Sequence, residues 1–84
     1  MRQAITTKFF GPTDVSGSRV KASCEAGSIM HAWDFSLGID GNHDAAAKTL
    51  AAKLGWTGAW FGGSTKTGNC YVWSATGVDE AFRV

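Results

Sequence analysis

Apolar and polar residues alternate along residues 18–25. The apolar side of this segment consists of Val20, Ala22 and Cys24. A period of two with one apolar face is typical of a half-buried strand. A short Ala26-Gly27 turn separates this segment from a second predicted strand over residues 29–35. Because so short a turn joins antiparallel neighbours, the two segments predict a hairpin.

The period changes to that of a helix further along the chain. The apolar stripe of this region contains Ala47, Leu50, Ala51 and Leu54. Spacings of three and four residues predict an amphipathic helix near residues 43–54. We expect Asp40 or Asn42 to cap its N-terminus, since both side chains accept hydrogen bonds from free backbone N–H groups. Lys53 favours the C-terminal end of the helix, and Gly55 can end it in the left-handed conformation.

Three further strands are predicted from short segments rich in β-branched and aromatic residues. They lie near residues 4–10, 57–61 and 70–75. The last two flank a Gly-rich turn and should form a second hairpin. We expect the tail, residues 76–84, to form a short helical turn or to be irregular. The order βββαββ predicts one α+β domain over residues 1–84, with an antiparallel sheet of about five strands and one helix packed on one face.

Composition agrees with one domain and excludes several classes of protein. The chain has 84 residues, of which 44% are hydrophobic and 18% are charged, and this balance argues against disorder. A net charge of +1 argues against an acidic DNA mimic and against a strongly basic DNA-binding protein. No apolar run reaches the ~18 residues of a membrane helix, and the N-terminal residues lack the pattern of a signal peptide. We therefore expect a cytoplasmic location and no membrane partner.

Four residues are candidate metal ligands. They are Cys24, His31, His43 and Cys70. Their spacing matches no zinc motif, so we expect neither a metal nor a cofactor. His31 should be a hydrogen-bonded histidine in the core or an interface, and His43 should lie on the surface in the first helical turn. Both cysteines should be buried thiols in a reducing compartment, although their positions on predicted strands leave a disulfide open.

No motif in the chain predicts an enzyme. The Gly-rich segment GGSTK at residues 62–66 resembles part of a phosphate-binding loop. A P-loop, however, runs from a strand into a helix, whereas this segment joins two predicted strands. No serine lies in a G-x-S-x-G motif, and neither cysteine lies in a recognisable reactive sequence. We therefore expect a protein without catalytic residues.

The ten aromatic residues give a more specific indication. One alanine-rich helix is too thin to cover them all, so some rings should remain exposed on the sheet. Exposed Trp and Tyr favour a protein-binding surface because they bury a large area at low entropic cost. The alternative is that the tail and loops cover these rings. The candidate partner-binding residues are Lys8, Arg19, Lys21, Trp60, Tyr71 and Trp73.

The cations in that set raise a second alternative. Residues 1–21 contain four cations and one carboxylate, whereas residues 22–44 contain four carboxylates and no Lys or Arg. A patchy solvated surface is the simpler explanation. If the cations share the open sheet face with aromatic rings, that face resembles a platform for single-stranded nucleic acid. The low net charge and the lack of an RNP-like motif favour a protein partner instead.

Several segments resemble small proteins carried by bacteriophages and integrated elements of proteobacteria. They are TTKFFGPT at 6–13, GSRVKA at 17–22, NH followed by AAA within 42–47, KLGW at 53–56, GG at 62–63 and YV at 71–72. The tail after Ala75 is longer than in those proteins, which are largely without assigned function. Small phage proteins without enzymatic chemistry often inhibit host machinery.

The resemblance therefore implies an anti-CRISPR or other anti-defence protein. Such a protein would bind a host protein complex, for example a CRISPR effector, in the cytoplasm of the host cell. Two alternatives belong to other classes. One is a nucleic-acid-binding accessory protein that uses a basic and aromatic sheet face. The other is a self-assembling structural protein of the mobile element, with a homodimer as its simplest form.

Overall fold

A computed structural model describes residues 3–13, 17–77 and 79–84. Within these residues the chain forms one antiparallel sheet and one helix, which confirms the predicted α+β architecture with one more strand than expected. The elements are β1 (Ile5–Phe10), β2 (Arg19–Cys24), β3 (Gly27–Ala32), α1 (Ile39–Lys53), β4 (Ala59–Ser64), β5 (Gly68–Ser74) and β6 (Phe82–Arg83). The strands lie in the order β3-β2-β1-β5-β4-β6.

Both predicted hairpins are present. In the β2–β3 pair Val20 lies opposite His31, and in the β4–β5 pair Trp60 lies opposite Trp73. Strand β1 lies between the hairpins and pairs antiparallel with both β2 and β5. This first strand therefore joins two locally formed hairpins into one sheet.

Helix α1 covers one face of the sheet, which we call the covered face. The buried apolar residues between them are Ile5, Val20, Ala22, Ala46, Ala47, Leu50, Ala51, Trp60, Tyr71 and Phe82. Alanines at the contact let the helix lie close to the sheet, and each fully buried large side chain contributes roughly 1.5–3 kcal/mol. The opposite face carries no helix, and we call it the open face.

The helix begins earlier than the sequence predicts. It starts at Ile39 rather than near residue 43, and its N-cap is Gly38, which makes no side-chain capping bond. The predicted caps, Asp40 and Asn42, lie inside the helix, so that prediction is wrong. The Asn42 side chain binds the loop before the helix instead of the helix end. The C-terminal predictions are confirmed, because Lys53 lies in the last turn and Gly55 has a φ of 73°.

Strand boundaries shift by a few residues from their predicted positions. Strand β3 ends at Ala32 rather than residue 35, because the following residues form a loop bound to α1. Strand β4 continues through Gly62 and Gly63, which were predicted as a turn. Gly62 lies opposite Tyr71, where a Cβ would be 2.8 Å from a ring carbon of that tyrosine. The glycine therefore makes room for a buried ring in the middle of the hairpin.

The tail adds a strand that the sequence does not predict. Strand β6 pairs with the far edge of β4, and Phe82 stacks on Trp60 with ring centroids 5.9 Å apart. The expectation of a helical turn or irregular chain over residues 76–84 is therefore wrong for β6, while Val78 lies outside the described residues. The alternative that the tail covers aromatic rings is right for Trp60.

The cysteines are free and half-buried. Cys24 packs toward the core on the covered face. Cys70 lies opposite Thr6 on the open face. Because the two thiols lie on opposite faces of the sheet, this fold does not bring them together as a disulfide.

Candidate functional site

The six predicted partner-binding residues divide between the two faces of the sheet. Lys8, Arg19 and Lys21 lie together on the open face of β1 and β2. Trp60 and Tyr71 are fully buried on the covered face, so the prediction that they form a binding surface is wrong. Both lie on the same side of the sheet as Ile5, where Tyr71 bonds to Asp44 of α1 and Trp60 stacks between Trp56 and Phe82. Trp73 lies opposite Trp60 on the same face of the sheet, but it is close to the end of β5 and remains 41% exposed.

The loop between β3 and α1 and the first residue of α1 present apolar side chains to solvent. Phe35 is 88% exposed and Ile39 is 72% exposed. These values are high for large apolar residues, which normally lose exposure when a small domain folds. The loop is therefore the clearest candidate for a surface completed by a partner.

This loop is held in place by one buried side chain. The Asn42 amide oxygen accepts a hydrogen bond from the Asp34 backbone N–H at 2.7 Å. The amide nitrogen of Asn42 donates to the carbonyl oxygens of Asp34, Leu37 and Gly38 at 2.9, 3.3 and 3.0 Å. At the tip of the loop, the Asp34 carboxylate accepts from the backbone and hydroxyl of Ser36, and these bonds lower the pKa of Asp34. The exposed side chains of Phe35 and Ile39 therefore project from a preorganised backbone.

Around the loop lies an open apolar cleft of about 470 Å³, which we call the aromatic cleft. Its lining residues are Phe9, Ser18, Trp33, Phe35, Ile39 and His43. Phe9 and Trp33 meet edge to face, with ring centroids 5.2 Å apart. The Trp33 backbone N–H donates to the Ser18 carbonyl at 3.0 Å, which ties the loop to the residues before β2. The cleft can accept an apolar side chain of a partner.

Sequence reasoning did not identify the cleft residues as a site. Phe35 ends a strand predicted from the sequence, Ile39 lies between that strand and the predicted helix, and neither position indicates a binding role. The sequence does contain one indication of the cleft: residues 35, 37 and 39, at and after the end of the predicted strand, are all apolar. Loops exposed to solvent are usually polar, so this pattern is unusual. Recognising the partners of Phe9 required the register of the sheet, which is a long-range property.

A polar network lies beside the cleft, under the N-terminal half of α1. His43 is buried, so the prediction that it lies on the surface is wrong. Its Nδ1 is 2.7 Å from the Thr7 hydroxyl, which accepts from the Asn69 backbone N–H at 3.2 Å. The Thr7 hydroxyl can therefore donate its proton to a neutral His43. Burial lowers the pKa of His43 despite the nearby carboxylates of Asp40 and Asp44.

Tyr71 continues this network toward a small cavity of about 200 Å³. Its hydroxyl donates to Asp44 at 2.6 Å and accepts from the Asn69 side-chain amide at 3.0 Å. Burial, followed by the hydrogen bond to Asp44, raises the pKa of Tyr71 well above its usual value. The phenol thus stays protonated at neutral pH. These contacts join α1 to β1 and β5, which is a structural role.

The other histidine lies on the covered face of β3. His31 is opposite Val20, and its Nδ1 is buried without a hydrogen-bond partner among the described residues. The expectation that His31 is hydrogen-bonded is therefore wrong at this nitrogen. Over residues 3–13, 17–77 and 79–84, no three His, Cys, Asp or Glu side chains are grouped as metal ligands. No helix in these ranges has the length and apolar character needed to cross a membrane.

Comparison with family models, with curated proteins and with solved structures finds no match to this chain.

Proposed function

We propose that this chain is a non-enzymatic binding protein whose aromatic cleft receives an apolar segment of a protein partner. The observation that carries the proposal is the exposure of Phe35 and Ile39, at 88% and 72%, beside an apolar cleft. Aromatic side chains of this kind dominate the energy of protein interfaces because they bury a large area in few rotamers. Ordering of the loop by Asn42 supports the proposal, because a preorganised surface loses less entropy on binding.

The proposed partner is a host defence complex, for example a CRISPR effector. The resemblance to phage and mobile-element proteins supports this class of partner, and inhibition would follow if the bound domain blocks a working surface of the complex. This function would place the protein in the cytoplasm of the host cell. The exposed cleft supports a protein partner over a small molecule, because its rim projects outward rather than enclosing a ligand.

The test is capture of defence components by tagged protein from a host with an active CRISPR system. The double variant Phe35→Ser with Ile39→Ser removes the exposed apolar rim, and surface changes of this kind shift stability by about 0.5 kcal/mol or less. Met30→Ser with Val72→Ser is the matched control, because these side chains are about half exposed in the strands of the open face. We expect the wild type and the control to recover an effector subunit and the cleft variant to lose it.

Two results would contradict the proposal. Equal recovery of the subunit by the cleft variant would show that the cleft is not the binding surface. If a co-expressed untagged copy of the chain is recovered by the wild type but not by the cleft variant, and no defence component is recovered, the cleft forms a homodimer instead, as in a self-assembling structural protein.

A further inference from the structure

The sheet carries a segregated charge that the net charge of +1 conceals. None of the six strands contains Asp or Glu, whereas they contain four cations. These cations are Lys8, Arg19, Lys21 and Arg83. Arg83 forms an ion pair with Glu80 at 3.0 Å, while no carboxylate among the described residues pairs with the other three. The acidic residues of the described chain lie in loops and in α1.

Three of these cations form a compact block on the open face of β1 and β2. Lys8 lies directly opposite Lys21, and Phe10 lies directly opposite Arg19. The Lys8 amine and the Arg19 guanidinium lie 5.4 and 5.5 Å from the centre of the Phe10 ring. We call these four residues the basic block. It combines three positive charges and one aromatic ring on adjacent strands.

The Lys8–Lys21 pair is unfavourable in the free protein. Like charges directly opposite in a sheet repel, and a cross-strand pair of opposite charge would instead contribute roughly 0.2–1 kcal/mol. The described neighbours do not compensate for the repulsion, since Met30 lies on the far side of Lys21 and Gly68 lies on the far side of Lys8. An anion bound between the two amines would remove the repulsion.

We propose that the basic block binds the phosphate backbone of single-stranded nucleic acid. Positive side chains that follow the backbone, together with a ring on which a base stacks, are the features of single-strand platforms. Thr6 and Ser23 add hydroxyl groups on the same face, 3.4 Å apart, and hydroxyls commonly contact phosphates.

An open sheet face without a protruding element suits a single strand better than a duplex. Sequence reading in a DNA duplex requires an element that enters a groove, and no helix or projecting ribbon lies on this face among the described residues. An acidic protein segment is the competing partner for the same charges. The ring at the centre of the block favours nucleic acid, because each unstacked base has an aromatic face to place against it.

This site is independent of the proposed function, because the aromatic cleft lies on the covered side of the sheet. The test is fluorescence anisotropy of a labelled oligothymidylate titrated with the purified chain at several salt concentrations. Lys8→Gln with Lys21→Gln removes two charges from the basic block. Lys48→Gln with Lys53→Gln removes the same charge from exposed positions on α1 and is the control.

We expect binding at low salt that the block variant weakens by about tenfold or more, while the control variant stays near the wild type. For single strands each phosphate contact contributes about 0.7 to the steepness of log affinity against log salt. Because the block variant lacks two cations, its slope should be shallower than that of the wild type by about 1.4. Phe10→Leu should also weaken binding without changing this slope, because a base would lose its stacking surface but the phosphates would keep their cations.

The proposal is overturned if the wild type does not bind the oligonucleotide at low salt. It is also overturned if both double variants lose the same affinity, since binding would then depend on total charge. Displacement of the labelled strand by polyglutamate as efficiently as by unlabelled oligothymidylate would assign the block to an acidic protein segment and would likewise overturn it. Capture of a protein through the aromatic cleft would be unaffected by any of these outcomes.

Discussion

His43 joins three elements of the fold through a buried hydrogen-bond network. Its partner Thr7 is 36 residues away in sequence, and Thr7 is 62 residues from Asn69. A histidine at the start of a helix is usually exposed, and no local pattern indicates that two strands will surround it. The sequence therefore could not predict its burial. The same limit applies to Asn42, whose side chain serves the preceding loop and not the helix end.

The lowered pKa of His43 predicts that stability falls under mildly acidic conditions. The folded protein holds the ring neutral, whereas the unfolded chain takes up a proton near the ordinary pKa of 6.5. The contribution of the neutral His43 ring to the free energy of unfolding is therefore fully present above pH 6.5. It decreases as the pH falls from there toward the lower pKa of the folded state. The limiting slope for one proton is about 1.4 kcal/mol per pH unit. His43→Gln should flatten this dependence in urea unfolding experiments between neutral pH and about pH 5.

The variant Thr7→Val distinguishes the effect of His43 protonation on stability from the effect of the hydrogen bond between Thr7 and His43. This variant keeps the histidine but removes the hydroxyl, so it should lower the unfolding free energy by about 1–3 kcal/mol while retaining the pH dependence. A His43→Gln variant with the wild-type slope would contradict the assignment. Asp34 also has a lowered pKa, but its ordinary value is 3.8, and its contribution appears only in more acidic solution.

At the scale of elements, the junction between β1 and β5 depends on Gly68. A Cβ at this position would overlap the Thr7 carbonyl oxygen and would lie 3.3 Å from the His43 ring. The backbone of the two strands must therefore move apart to accept any side chain. Because this pairing joins the two hairpins, the effect should extend across the sheet.

Gly68→Ala should therefore destabilise the protein by about 1–3 kcal/mol or more, since overpacking of a tight contact cannot relax without a backbone shift. Gly63→Ala is the control, because a Cβ there meets no atom within 4 Å and the residue is exposed. Its effect should stay within about 0.5 kcal/mol. The measurement is the difference in unfolding free energy from urea titrations. Equal values for the two variants would contradict the role of Gly68 at the junction.

The accuracy of the sequence prediction depends on how local each signal is. The alternation around Val20 and the stripe around Leu50 are local, and the structure confirms the hairpin and the helix that they predict. The two glycines of β4 resemble a turn in the sequence. The sequence does not show that the Tyr71 ring occupies the space that a side chain at Gly62 would need. Strand β6 has two residues and is defined only by its pairing with β4. Such long-range pairing leaves no periodic signal.

The same reasoning applies to the candidate site. Sequence analysis selected the basic residues of the open face, and the structure places Lys8, Arg19 and Lys21 together. It also selected Trp60 and Tyr71, which the helix and the tail cover. The prediction that some aromatic surface would remain exposed is right, but among the selected rings it holds for Trp73 alone, and the other exposed rings of the described residues, Phe9 and Phe35, were not selected. Composition indicated a surplus of rings, and only the fold determined which rings remain exposed.

At the scale of the whole molecule, the sheet separates two surfaces of different chemistry. The aromatic cleft lies beside the N-terminal end of α1, and the basic block lies on the open face. Apart from His43, which also lines the cleft, neither surface uses the buried residues that stabilise the domain. A domain of this size can thus contact a protein with one surface while the other remains accessible. The proposed function requires the aromatic cleft and does not require the basic block.

The most direct test of that requirement is the efficiency with which a targeted phage forms plaques on a host with active CRISPR immunity. The host should express the wild type, the cleft variant Phe35→Ser with Ile39→Ser, or the control Met30→Ser with Val72→Ser at equal protein levels. We expect the wild type and the control to restore plaque formation and the cleft variant to leave immunity intact. Immunity that is unaffected by the wild type, or lost equally with the cleft variant, would contradict the proposed function.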